Sequence, residues 1–380
     1  MNHTSRIIST YSADVFGVCS ALFELGGMII MHDASGCNST YTTHDEPRWY
    51  DMESMVYISG LSEMEAIMGD DEKLISDIVS AAKDLNPRFI AVAGTPIPTM
   101  TGFDFEAVAE LIEQRTGIPS FGFPTTGMNT YIHGANMALE AIARRFVDKS
   151  AVKTENPSVN ILGLTPLDFT VNGSDTAIAR FLENSGFSVI SRWAMGSPLE
   201  DLAKAGGAHV NLVVSASGLG TAKVLQDLFG TPYVIGVPIS NEYSAKIQSA
   251  LEEAIATGES QFPVSCLPDG DILVIGEAVT SLSLASALEL SAGKSAVVLS
   301  PTECDPRLLR SKDLLLQSEE EIQQAISRAK LVIADPLFAP ICPGNVRFVK
   351  LPAESFSGRL YRDEIPDLVS DFQTILREVL

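Results

Sequence analysis

Two cysteines flank a run that reads as a strand near the start of this chain. Cys19 lies in Gly17-Val18-Cys19-Ser20-Ala21-Leu22-Phe23, and Cys37 in His32-Asp33-Ala34-Ser35-Gly36-Cys37-Asn38. Cys37 follows an apolar run and a Ser-Gly pair, which predicts a glycine-loosened loop at a strand's carboxyl end. Sulfur at such a crevice is placed to hold a metal cluster. Two thiolates do not fill the four positions of a usual iron–sulfur cluster, so if both are ligands a second chain or unusual ligands complete the set. The same loop gathers His32, Asp33, Ser35, Tyr41, His44, Asp45 and Glu46, a high density of metal-capable and proton-transfer groups. From density alone, a ligand and an incidental cysteine in a polar loop are evenly balanced for Cys37.

Other residues carry weaker signals. Cys19 shares a helical face with Val15, Val18, Leu22 and Phe23, a pattern that favours a buried structural thiol. Cys266, Cys304 and Cys342 are scattered without ligand spacing and read as structural. His44 with Asp45 forms a candidate catalytic pair for proton delivery, since histidine titrates near neutrality; a solvated turn is the commoner meaning of such a cluster. Arg48-Trp49-Tyr50 shapes either a flat ligand's pocket or a dimer interface, the latter being the safer expectation. Ser215-Ala216-Ser217-Gly218-Leu219-Gly220 is either an anion cradle at a helix N-terminus or a tight strand-to-helix turn.

These residues must be positioned by a repeated unit: an apolar run, a Gly/Ser/Thr/Pro loop, an amphipathic helix, a turn and another apolar run. The first copy runs from Arg88 to Gly94, through a helix from about Phe105 to Arg115, to Thr116–Pro124. The second runs from His209 to Ala216, through a helix near 221–229, to Gly230–Pro238. The third pairs Lys330–Asp335 with Val346–Pro352, and its helix is missing or very short. Each copy has an opener, beginning at Gly27, Val159 and Asp271. Strands apolar throughout imply parallel sheets covered on both faces. The expected fold is α/β, with three Rossmann-like doubly wound parallel-sheet domains. Their expected bounds are 1–152, which carries the cysteine loop, 153–268, and 269–380, which ends in a helix. Ligands of such domains bind at the carboxyl ends of the strands, around a shared cleft.

Composition narrows the function. The 380 residues suffice for two or three domains. A net charge of −22 argues against nucleic acid and anionic membrane surfaces. No stretch approaches the roughly 20 apolar residues of a membrane span, and no leader-like segment opens the chain. Five cysteines without a dense framework fit a reducing cytoplasm. No Gly-x-x-x-x-Gly-Lys-Ser/Thr run is present, so P-loop ATP binding is not expected.

The segment Leu25–Tyr41 resembles the P-cluster region of nitrogenase component 1 proteins, where a strand leads into His-Gly-Pro-x-Gly-Cys-x-x-Tyr; here it reads His32-Asp33-Ala34-Ser35-Gly36-Cys37-Asn38-Ser39-Thr40-Tyr41. Further similarities follow in order. Ser62–Leu74 resembles the family's acidic segment and Gly-Gly-x-x-Lys-Leu, Gly94–Asp104 its Thr-Cys-Pro loop, and Phe123–Gly127 the segment after it. Asp335-Pro336-Leu337 and Ser357–Tyr361 look like its closing motifs.

The departures are specific. Thr95 stands where the family loop carries a third cysteine. Cys19 lies closer to Cys37 than the family's first cysteine lies to its second. His133 and His209 are weak counterparts of the large cofactor's anchors. The resemblance implies a short nitrogenase-like oxidoreductase component that does not reduce dinitrogen. It implies a [4Fe-4S] cluster shared across a dimer interface, with Cys37 and Cys19 as metal ligands and Ser35, Gly36, Asn38 and Thr95 lining the cofactor. It also implies a homodimer or a heterodimer with a related chain, served by a separate ATP-hydrolysing iron–sulfur reductase. A metallocluster assembly scaffold and a metal-free interaction module on the same fold are the alternatives.

Overall fold

The computed structural model describes residues 5–7, 12–34, 36, 38, 41, 45–264 and 270–380. Their strands form three parallel sheets. The first comprises β1 (Met28–Met31), β2 (Met55–Ile58), β3 (Ile90–Ala93) and β4 (Ser120–Phe123), in the order β2-β1-β3-β4. The second comprises β5 (Ser158–Leu162), β6 (Ser188–Arg192), β7 (Val210–Val213) and β8 (Tyr233–Ile235), in the order β6-β5-β7-β8. The third comprises β9 (Ile272–Ile275), β10 (Ala296–Ser300), β11 (Leu314–Leu315), β12 (Leu331–Ala334) and β13 (Arg347–Lys350), in the order β11-β10-β9-β12-β13. The α/β class with three doubly wound parallel sheets is therefore as the sequence predicts.

The inner strands β1, β3, β5, β7, β9 and β12 are buried along their whole length. This is what uninterrupted Ile/Val/Leu/Met runs demand when helices cover both faces. The connecting helices start and stop on local chemistry. Asp104 caps Phe105–Thr116 by accepting from the Ala107 amide at 3.0 Å. Gly117 ends that helix at φ +73°, a conformation that costs glycine little. Leu219–Phe229 fills the same place in the second unit. In the third, the six-residue 3-10 helix Pro336–Ile341 replaces it, as the proline-rich linker there requires.

The helix Asp14–Leu22 departs from expectation. Its apolar face predicts one-sided burial, yet all nine residues are buried. The helix Tyr131–Phe146 crosses it closely, and glycine on each partner makes the approach possible. A Cβ on Gly17 would sit 1.9 Å from the Tyr131 carbonyl oxygen, and one on Gly134 would sit 1.8 Å from that of Asp14. The Asp14 carboxylate fastens this helix start to the loop after β4, accepting from the amides of Thr126 (3.0 Å) and Gly127 (2.8 Å). Tyr131–Phe146 also reaches the second unit: Asn136 accepts from the Gly220 amide and donates to the Ala216 carbonyl, both at 2.9 Å. No described helix is long and apolar enough to cross a membrane.

Candidate functional site

Ser35, Cys37, His44 and Cys266 lie outside the described residues. The neighbours of the first three define how the cysteine loop leaves β1. His32 continues the strand, its amide donating to the Ala93 carbonyl at 2.9 Å. Its Nδ1 lies 2.9 Å from Ser59 Oγ, which in turn accepts from the Asp33 amide at 3.0 Å. The ring packs on Phe103, with centroids 4.4 Å apart. Burial pulls the His32 pKa down to about 4, against the pull of Asp33 and Glu65, so the imidazole is neutral at pH 7. Thr95 is fully buried and its hydroxyl donates to the His32 carbonyl at 2.9 Å. Asp33 accepts from the Ala34 amide and from the Asn38 side chain. Gly36 is exposed and takes φ +86°, a turn that a side chain would strain. Asn38, Thr95 and His32 thus belong to one brace that fixes where the loop departs.

The far side of the loop closes over a buried charge centre. Glu46 is fully buried, accepting from Tyr41 Oη at 2.8 Å and Arg48 Nε at 2.6 Å. Arg48 also donates to Glu24 at 2.9 Å, to the Ser20 carbonyl at 2.8 Å and to the Ala194 carbonyl at 2.8 Å. Burial alone would lower the pKa of this guanidinium; Glu46, with Glu24, outweighs burial and raises it. Ala194 holds a strained backbone, at φ +86°, in aiming that carbonyl. This corrects two expectations. Arg48 is an internal tie between the first and second units, because two carboxylates and two carbonyls there need a cation. Asp45 and Glu46 form no solvated turn: both are buried, and the Asp45 carbonyl accepts from Arg362 at 2.8 Å.

Cys19 is sealed against this centre. Burial, and then the nearby Glu46 charge, drives its thiol pKa far above the ordinary range. That burial holds the thiol protonated, as in a structural core cysteine. Among the described residues no group of three or more His, Cys, Asp and Glu has metal-binding geometry.

Sequence reasoning missed a second polar centre, where the three sheets' carboxyl ends meet. Asp168, after β5, accepts from Tyr131 Oη, from Thr165 Oγ1 at 2.7 Å and from Ser215 Oγ at 2.6 Å. Glu277, two residues after β9, accepts from the amides of Ala216 (2.9 Å), Val279 (3.0 Å) and Thr280 (2.8 Å). The Ser215–Gly220 segment is therefore a strand-to-helix turn whose amides are taken by Glu277 and Asn136. Burial and then Asp168 push the Glu277 pKa up to about 7. Burial also raises Asp168, against its hydroxyl donors. A cavity of about 60 Å³ adjoins both carboxylates and Asp335. The available signal was positional: Asp168, Glu277 and Asp335 each follow a buried inner strand. His209 lies apart from this centre, its Nδ1 3.1 Å from Ser158 Oγ at the start of β5, and His133 is exposed on the helix Tyr131–Phe146.

Beside the β1 brace, the Leu61 amide donates to the Asp33 carbonyl at 2.8 Å and leads into the helix Glu63–Met68, which buries none of its residues. Met64, Ile67 and Met68 are exposed there, as is Met100 on the neighbouring helix Pro96–Thr101. Exposed apolar residues three and four apart on one helix mark an interaction face.

This arrangement of three parallel sheets and a strand-end loop has known counterparts. The family model described as nitrogenase component 1 type oxidoreductase matches residues 14–263. The chain belongs to that family. It is 28% identical over 200 residues to one component chain of the light-independent protochlorophyllide reductase of Nostoc punctiforme, covering 49% of this chain and 39% of that protein. It is 26% identical over 180 residues to the nitrogenase iron-molybdenum cofactor biosynthesis protein NifE of Clostridium pasteurianum, covering 47% and 38% respectively. The chain thus matches about two fifths of the length of these curated relatives. A solved structure described as nitrogenase Cp1 at pH 6.5 superposes with a TM-score of 0.71 at 17% identity, covering 100% of this chain and 93% of that one. At that identity the superposition shows the shared fold.

Proposed function

We propose that this nitrogenase-like chain is an iron–sulfur oxidoreductase component that takes electrons from an ATP-hydrolysing iron–sulfur reductase and passes them to a substrate. The observation that carries this reading is the braced departure of the cysteine loop from β1, through His32, Ser59, Asp33, Asn38 and Thr95, beside an exposed methionine-bearing helix. Cys37 is the ligand this chain contributes, and Gly36 and Asn38 flank it. Cys19 is fully buried as placed, so a second copy would add only its own Cys37, and the remaining thiolates come from a related chain. A bound [4Fe-4S] cluster supplies one-electron transfer. The chain's own part is to hold the loop with a neutral imidazole and to present an apolar face to the reductase. His44 and Asp45 are the candidate proton-delivery pair. Three domains, 1–152, 153–268 and 269–380, and a cytoplasmic setting complete the proposal.

Anaerobic purification with iron and sulfide counts and electron paramagnetic resonance tests it. Cys37→Ala is expected to remove the iron and Cys19→Ala to keep it; folded, iron-free wild-type protein overturns the reading. The similarity to a cofactor biosynthesis protein favours a second reading, a metallocluster assembly scaffold. Turnover with reductase and ATP supports the enzyme, whereas transfer of a bound cluster to an apo acceptor supports the scaffold.

A further inference from the structure

A groove of the first unit lies at the opposite end of its sheet from the cysteine loop. It opens at the amino-terminal ends of β1 and β2, between the end of the helix Asp14–Leu22 and the segment after Arg48, with a volume of about 840 Å³. That volume suits one small organic molecule. Trp49, Tyr50 and Tyr57 supply aromatic surface, with Phe23 buried behind them, and Glu24, Asp51 and Glu53 supply carboxylates; among the described residues no Lys, Arg or His lines it.

We propose that this groove binds a small organic cation, an ammonium or amidinium group on an apolar body. Aromatic faces and carboxylates together are what such a ligand requires: the rings attract the cation through their quadrupoles and cover its apolar part, and the carboxylates set the sign of charge. The fold already uses this pairing at the groove's inner wall, where the Arg48 guanidinium carbon lies 4.8 Å from the Phe23 ring centroid. Arg48 is sealed behind that wall, its charge matched by Glu46 and Glu24. Both Glu24 oxygens are occupied, one by Arg48 and the other by the Gly196 amide at 2.7 Å. Asp51 and Glu53, both exposed, are the carboxylates that meet the ligand. Tyr50 is 71% exposed, a large aromatic at the rim. Nearby, Arg88 is matched to Glu200, so its charge does not cancel the field.

The test uses benzamidine as the cation and benzamide as its neutral isostere. The chain has two tryptophans, and Trp193 is fully buried, so a saturable fluorescence change reports Trp49. Benzamidine is expected to saturate the signal at millimolar concentration or below, with benzamide about tenfold weaker. The double variant Asp51→Asn, Glu53→Gln is expected to weaken benzamidine about three- to fivefold, and raising the salt to weaken it further. Isothermal titration calorimetry of the unaltered chain gives the same comparison without a variant. Equal binding of benzamide, an unsaturable response, or an unchanged affinity in the double variant overturns the proposal.

Discussion

Two buried carboxylate centres in this molecule solve the same problem in opposite ways. Around Glu46 and Glu24, Arg48 sits among the acids and the charge is matched. Around Asp168 and Glu277, hydroxyls and backbone amides supply the hydrogen bonds in place of a cation. A matched centre keeps its ionisation and fails when one partner is lost. An unmatched centre adjusts by holding a proton, so it couples its three surrounding units to pH. Charge pairing therefore fixes the cysteine loop's far side, while hydroxyl and amide donors hold the meeting point of the sheets.

The largest break in this contrast is Arg48→Met, which leaves two buried carboxylates without a cation. It should cost about 3–5 kcal/mol in urea unfolding. Next is Glu277→Gln. The Glu277 pKa is raised to about 7 in the fold, above its ordinary 4.5, so its stabilising share is complete below 4.5 and is lost as pH rises through 7. Wild-type stability should fall by about 3 kcal/mol between pH 5 and 8 from this group, and the Gln variant should flatten that limb; an unchanged slope refutes the assignment.

His32 gives the opposite sign. Its pKa is lowered to about 4 from 6.5, so its contribution is present above 6.5 and is lost as pH falls through 4. An imidazole proton resonance titrating near 4, with about 2 kcal/mol lost across that range, is the expected result. The smallest effect sharpens the charge-matched side. Ala194→Gly should relieve the left-handed strain beside Arg48 and raise stability by about 0.5–1 kcal/mol in thermal unfolding.

The sheets were legible because their signal is local. Ile-Leu-Val-Ile at β9 and Leu-Val-Ile-Ala at β12 are buried runs bounded by turn residues, and the recurring strand order follows from repeating them. What escaped is non-local. Arg48 beside Trp49 and Tyr50 reads as surface until the Ala194 carbonyl arrives from the second unit. Glu277 carries no signal of its own in the sequence, and its role shows only where the Ala216 amide meets it. The helix Asp14–Leu22 reads as one-sided because the glycine that lets a second helix cover it, Gly134, belongs to a distant segment. The cysteine loop was legible by motif, and Cys37 itself lies outside the described residues.

That crossing of Asp14–Leu22 by Tyr131–Phe146 also bears on how the chain is made. The earlier helix leaves the ribosome well before its cover is synthesised, and at about 5–20 residues per second the wait lasts several seconds. For that interval a short apolar helix, too short to persist alone in water, has no place to bury. The first unit therefore closes only after its last helix emerges.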